Sequence, residues 1–110
     1  MPKNFRINNA DIRRLIDWQG AAGCIVTDRI TVDGAKIGFM YREEPANAMD
    51  CGWRFFEGPE SDEYLADPRN MSVFDINAVC NYDRDIIPFI GAPVGSAFER
   101  DEKGVFRQAE

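Results

Sequence analysis

Residues 51–56 read Cys51-Gly52-Trp53-Arg54-Phe55-Phe56, the most strongly β-prone run in the chain, and they predict a strand over Trp53–Glu57. At strand spacing Trp53 and Phe55 share one face, and Arg54 and Phe56 share the other. One face therefore fills the core. The other either packs beneath a helix or stays exposed as a docking patch, where Trp and Phe are common anchors. Outward on both sides the chain turns acidic. Residues 43–67 carry eight carboxylates (Glu43, Glu44, Asp50, Glu57, Glu60, Asp62, Glu63, Asp67) against one base, Arg54. Residues 1–42 carry seven bases against four acids. An aromatic centre ringed by carboxylates suits a surface that meets a basic partner, and it equally suits a core strand beside a solvated loop.

Working outward, Cys24–Ile30 and Ala35–Arg42 are β-rich runs separated by Thr31-Val32-Asp33-Gly34, and Asp-Gly predicts a hairpin because its turn needs positive φ. On the second run Ile37, Phe39 and Tyr41 alternate with Gly38, Met40 and Arg42, which predicts one buried face. Further back, Ile12, Leu15 and Ile16 at i, i+3, i+4, with Asn9 as N-cap and Gly20 as stop, predict an amphipathic helix over Asn9–Trp18. In the other direction Glu60–Ala66 predicts a helical turn stopped by Asp67-Pro68. Val73, Ile76, Val79 and Cys80 predict a helix from Ser72. A second short one runs from Asp83 toward Ile90. Ser96–Arg100 and Val105–Arg107 predict a closing hairpin through Asp101-Glu102-Lys103-Gly104. The order predicts an α+β single domain over 1–110, an antiparallel sheet of about five strands packed by short helices.

Composition narrows the chemistry. With 110 residues, 45% hydrophobic and 29% charged, the chain makes one globular core. A net charge of −6 argues against nucleic acid or an anionic membrane as ligand and favours a basic protein. No apolar run reaches membrane-span length, and Met1-Pro2-Lys3-Asn4-Phe5 lacks a signal-peptide core. Cys24, Cys51 and Cys80 are widely spaced and form no CxxC pair, so buried thiols in a reducing cytoplasm are expected. Histidine is absent, which removes the commonest general base and metal ligand, and no cofactor or metal is expected. Glu60, Asp62 and Glu63 lack the spaced array of a calcium loop. Asp83, Asp85, Glu99 and Asp101 are interleaved with Arg84 and Arg100, which suits ion pairing better than paired-carboxylate catalysis. Gly91-Ala92-Pro93-Val94-Gly95-Ser96 lacks the Lys-Ser/Thr ending of a phosphate loop and reads as a helix-to-strand connection. The expectation is a protein that is no enzyme.

The stretches CIVTDRITVDGAKIGFMYREEP (24–45), GWRFFEGPESDEYLADPRN (52–70) and NYDRDIIPFIGAPVGSAFERD (81–101) resemble the bacterial immunity-protein-33-like family. The likeness covers about 24–107 and leaves the first 20 residues outside. It implies a small cytoplasmic protein of a polymorphic toxin system that binds and neutralises a cognate toxin, and it brings no catalytic residues. Taken with the acidic stretch, it makes Trp53, Phe56, Glu57, Glu60, Asp62, Glu63 and Tyr64 the expected partner-binding residues. The alternative is a non-enzymatic regulatory or scaffold module for another protein or small ligand.

Overall fold

Strand β3 (Asp50–Phe56) is the spine of the molecule, and its alternation is as the residue pattern predicts. Cys51, Trp53 and Phe55 point into the core, and Arg54 and Phe56 lie on the opposite face. The computed structural model describes residues 3–109; Met1 and Pro2 of the leader reading lie outside them. Around β3 stand β1 (Gly23–Thr27), β2 (Phe39–Arg42), β4 (Met71–Asp75), β5 (Ala97–Arg100) and β6 (Phe106–Gln108). Together they form one six-stranded sheet in the order β4-β1-β3-β2-β5-β6. Short helices α1 (Asp28–Thr31), α2 (Asp62–Ala66) and α3 (Ile76–Tyr82) complete an α+β fold.

The sheet is mixed, with β1 and β3 parallel and the other pairs antiparallel. That corrects the expected hairpin at Asp33-Gly34. Gly34 does adopt positive φ (82°), but it ends α1, its amide donating to the Ile30 carbonyl at 3.1 Å while Ala35 N donates to Arg29 O at 2.9 Å. A helix C-terminus and a hairpin turn both select glycine at left-handed φ, so Asp-Gly fits either. With no hairpin, β3 enters between β1 and β2.

The N-terminal helix expected over Asn9–Trp18 is also absent. A 3-10 turn at Asn9–Asp11 gives way to an extended strap over 12–19. Two side chains of α3 take up its backbone polar groups. Asn77 Oδ1 accepts from Leu15 N (2.8 Å) and Ile16 N (3.3 Å), and Asn81 Oδ1 accepts from Arg13 N (3.0 Å). Both asparagine amides donate back to the Arg13 carbonyl. Leu15, Ile16 and Trp18 still pack against the core, so the apolar spacing is used without a helix.

Two further readings shift. Residues 71–75 are strand, and the helix expected from Ser72 begins only at Ile76, where Asp75 caps it by accepting from Asn77 N at 2.8 Å. Within β2 it is Met40 that faces the core; Phe39 and Tyr41 turn to the other face, and Ile37, though buried, precedes the strand. Gly38 breaks the alternation, since a Cβ there would collide with the Glu57 carbonyl. The turn before Asp67-Pro68, the 3-10 segment Arg84–Phe89 and the β5–β6 hairpin lie where expected.

All three thiols are free and buried. Burial pushes Cys80 up to about 11, and Cys24 is pushed up by its hydrogen bond to Cys51 and by burial. That same bond lowers Cys51 to about 7, but its side chain has almost no access to solvent. Titration with a thiol reagent should label the native protein slowly and give three equivalents after unfolding. Rapid labelling of two native thiols would contradict this packing.

Candidate partner-binding site

The two faces of the sheet differ. One is covered by α1, α3, the strap and the 3-10 segment, and holds the core. Among the described residues the other carries no helical layer, and α2 only borders it. On this open face three aromatic rings meet. Phe56 lies 5.9 Å from Phe39 and 5.7 Å from Tyr41, centroid to centroid, with Tyr41 and Phe56 only 11° from parallel. All three are half-buried. Strand pairing brings them together: Phe39 sits opposite Phe56, and Tyr41 opposite Arg54, one pleat along.

Beside the rings runs a groove of about 580 Å³ whose walls include Ile25, Tyr41, Glu43, Phe56 and Leu65. Arg54 forms its floor. The guanidinium is almost fully buried and grips Asp50 in a two-bond fork, Nη1 to Oδ1 at 2.8 Å and Nη2 to Oδ2 at 2.7 Å. Its Nε donates to Glu43 Oε2 at 2.6 Å. Gly52 makes this possible: at φ 95° it bulges, and a Cβ there would run into the Glu43 carbonyl. A second apolar hollow, about 520 Å³ with Met49 and Val73 on its walls, shares Ile25 with the first. Both residues are about three-quarters exposed, so the apolar surface continues from the rings toward β4.

The Arg54 hydrogen bonds, helped by the Ala46 and Gly52 amides, hold the Asp50 carboxyl well below the usual carboxylate range. Its unfolded value is about 3.9, so the ion pair stabilises fully above about pH 5 and is lost as pH falls toward the lower folded value. Asp50→Asn should lower the melting temperature at pH 6, and the gap to the parent should narrow between about pH 5 and pH 2. A gap that does not change with pH would contradict the assignment.

The expected site residues divide. Phe56 stands on the open face, Glu57 is half-buried at its margin 3.9 Å from Arg29, and Asp62 and Glu63 are exposed on the first turn of α2. Tyr64 is half-buried, with the Arg29 guanidinium 5.2 Å above its ring. Trp53 does not belong with them. It is 0% exposed and its Nε1 donates to the Ile90 carbonyl at 2.8 Å, so a surface-anchor role gives way to a core role. Glu60 is also removed from the rim. Burial opposes its charge, but the amides of Glu57 (2.8 Å) and Gly58 (2.7 Å) and the Thr27 hydroxyl (2.9 Å) donate to its carboxylate and keep its pKa low. It fastens the loop after β3. The sequence reading missed Phe39, Tyr41, Glu43 and Ile25. Its one signal for Phe39 and Tyr41, the alternation in β2, pointed to the core.

Among the described residues no three His, Cys, Asp or Glu side chains group as a metal site, and no helix is long and apolar enough to cross a membrane. Fold and site together define a small α+β domain with one uncovered aromatic sheet face bordered by carboxylates. The family model of the immunity protein Imm33 domain matches residues 24–110, and the chain belongs to that family. Comparisons with curated proteins and with solved structures gave no match. Membership gives the chain an immunity-protein role and implies a toxin as partner. The strap lies outside the matched span.

Proposed function

We propose that this immunity protein neutralises a basic cognate toxin in the cytoplasm by stoichiometric docking, without catalysis, and that the toxin seats on the open face of the sheet. The observation that carries this reading is the ring cluster Phe39–Tyr41–Phe56, left half-exposed where no helix covers it. Rings that pack on each other but not under a layer form a preorganised apolar centre, and carboxylates at Glu43, Glu57, Asp62 and Glu63 border it in excess of the one exposed base there, Arg29. Such a rim attracts a basic protein over distances of about a Debye length, some 8 Å at physiological salt.

Coexpression with the cognate toxin should protect cells, and the two proteins should copurify at equal stoichiometry. The rim makes a separate contribution. Replacing Glu57, Asp62 and Glu63 with Gln or Asn should slow association about tenfold at low salt and leave dissociation nearly unchanged. Binding kinetics at two salt concentrations decide it: a salt-independent association rate, equal to the parent's, would remove these carboxylates from the encounter.

A further inference from the structure

We infer that the groove between α2 and strands β2 and β3 is a receptor for one basic side chain of the toxin. Its charge would pair with Glu43, and its stem and head would lie over Tyr41 and Phe56. The inference rests on the docking reading for the identity of the partner, and on the groove alone for the chemistry.

The charges of the groove are unequal. Arg54 is matched by the forked pair with Asp50, which leaves Glu43 as a surplus negative charge. Only one Glu43 oxygen is engaged. Oε2 accepts from Arg54 Nε, Oε1 has no protein partner among the described residues, and the side chain is 49% exposed. The other walls, Ile25, Leu65, Pro68 and Met71, are apolar. A carboxylate against such walls attracts a cation more strongly than one surrounded by water, because less solvent screens the pair. Within the groove burial and the Glu43 charge raise the Tyr41 pKa, against the opposing charge of Arg54.

The rings supply the second contact. Tyr41 and Phe56 are nearly parallel, and both line the groove. Their faces attract a cation within about 6 Å, an effect that strengthens as water is excluded. A lysine or arginine stem adds apolar contact with Ile25 and Leu65. The ligand that satisfies free carboxylate, ring platform and apolar walls together is a long side chain with a cationic head. An acidic or neutral polar side chain would leave Glu43 opposed or unanswered.

The test uses N-acetyl-arginine amide as probe, with N-acetyl-citrulline amide as its neutral near-isostere. Both are titrated at low salt into the isotopically labelled full-length protein and followed by NMR. Saturable shifts centred on Tyr41, Glu43, Arg54, Phe56 and Leu65 are expected for arginine. Binding should be at least about fivefold weaker for citrulline, and for arginine with the Glu43→Gln variant. Gln still offers an oxygen to Arg54, so the fold is kept; Tyr41→Leu removes a ring at a half-exposed position and should weaken the probe similarly. Shifts spread evenly over Asp62, Glu63 and Glu102, or equal binding by Glu43→Gln, would overturn the inference. The two readings fail separately. If the groove takes the probe but ring variants keep full toxin affinity, the docking reading falls and the cation site stands. If ring variants lose the toxin but Glu43→Gln changes neither probe binding nor toxin dissociation, the cation site alone falls.

Discussion

Replacing Trp53 with alanine should destabilise the fold by about 3–5 kcal/mol, the range for large aromatic truncations in a packed core. The side chain is wholly buried at the middle of the central strand, 5.9 Å from the Phe55 ring and 6.4 Å from Phe98. Truncation leaves a cavity that the sheet cannot close, because β1 and β2 flank β3 on both sides. It also strands the Ile90 carbonyl, which has Trp53 Nε1 as its donor at 2.8 Å. Domains of this size are stable by only about 5–15 kcal/mol, so a large part of the native stability goes. A fall in melting temperature of about 15–30 °C should accompany it. Urea denaturation of Trp53→Ala beside Phe56→Ala reads the difference between the two faces. The Phe56 variant, truncated at a half-exposed position, should lose much less. Equal losses would mean that the open face is packed as tightly as the core.

That Trp53 and Phe56 lie on opposite faces was legible in the residues, because strand alternation is geometric; that only Phe56 is at the surface was not, and both were expected at the partner. Which face would remain uncovered was not legible. That depends on where the helices come to lie, and here the long-range partners decided against the local patterns. Gly34 is compatible with a hairpin turn or with a helix end, and only the insertion of β3 between β1 and β2 selects the second. The strap carries a helical spacing, yet Asn77 and Asn81, more than 60 positions away, satisfy its backbone as an extended chain. The apolar spacing from Val73 suits a helix, but Asp75 caps the helix only at Ile76, and Met71–Asp75 before it pairs as a strand.

The same distinction runs through the site. A run of carboxylates cannot say which of them are bound by the backbone. Glu60 lies between the exposed Asp62 and the half-buried Glu57, but a loop that turns its amides inward makes it a structural anion. Glu43 is one of eight carboxylates over 43–67, and the bulge at Gly52 sets it against Arg54 at the groove. Glycine within a β-prone run is a recognised sign of such a bulge. Membership in the family fixes the kind of role.

The open face itself is tested most directly by the affinity of the double variant Tyr41→Ala/Phe56→Ala for the cognate toxin. Two half-exposed rings at the centre of a docking surface are worth about 2 kcal/mol each or more when truncated. Their loss should raise Kd at least about hundredfold, mainly through faster dissociation, while circular dichroism shows the fold retained. Arg14→Ala/Asp17→Ala, an exposed ion pair on the strap that crosses the covered face, is the control and should bind like the parent. A double ring variant that folds and keeps the parent's Kd would contradict docking on the open sheet face.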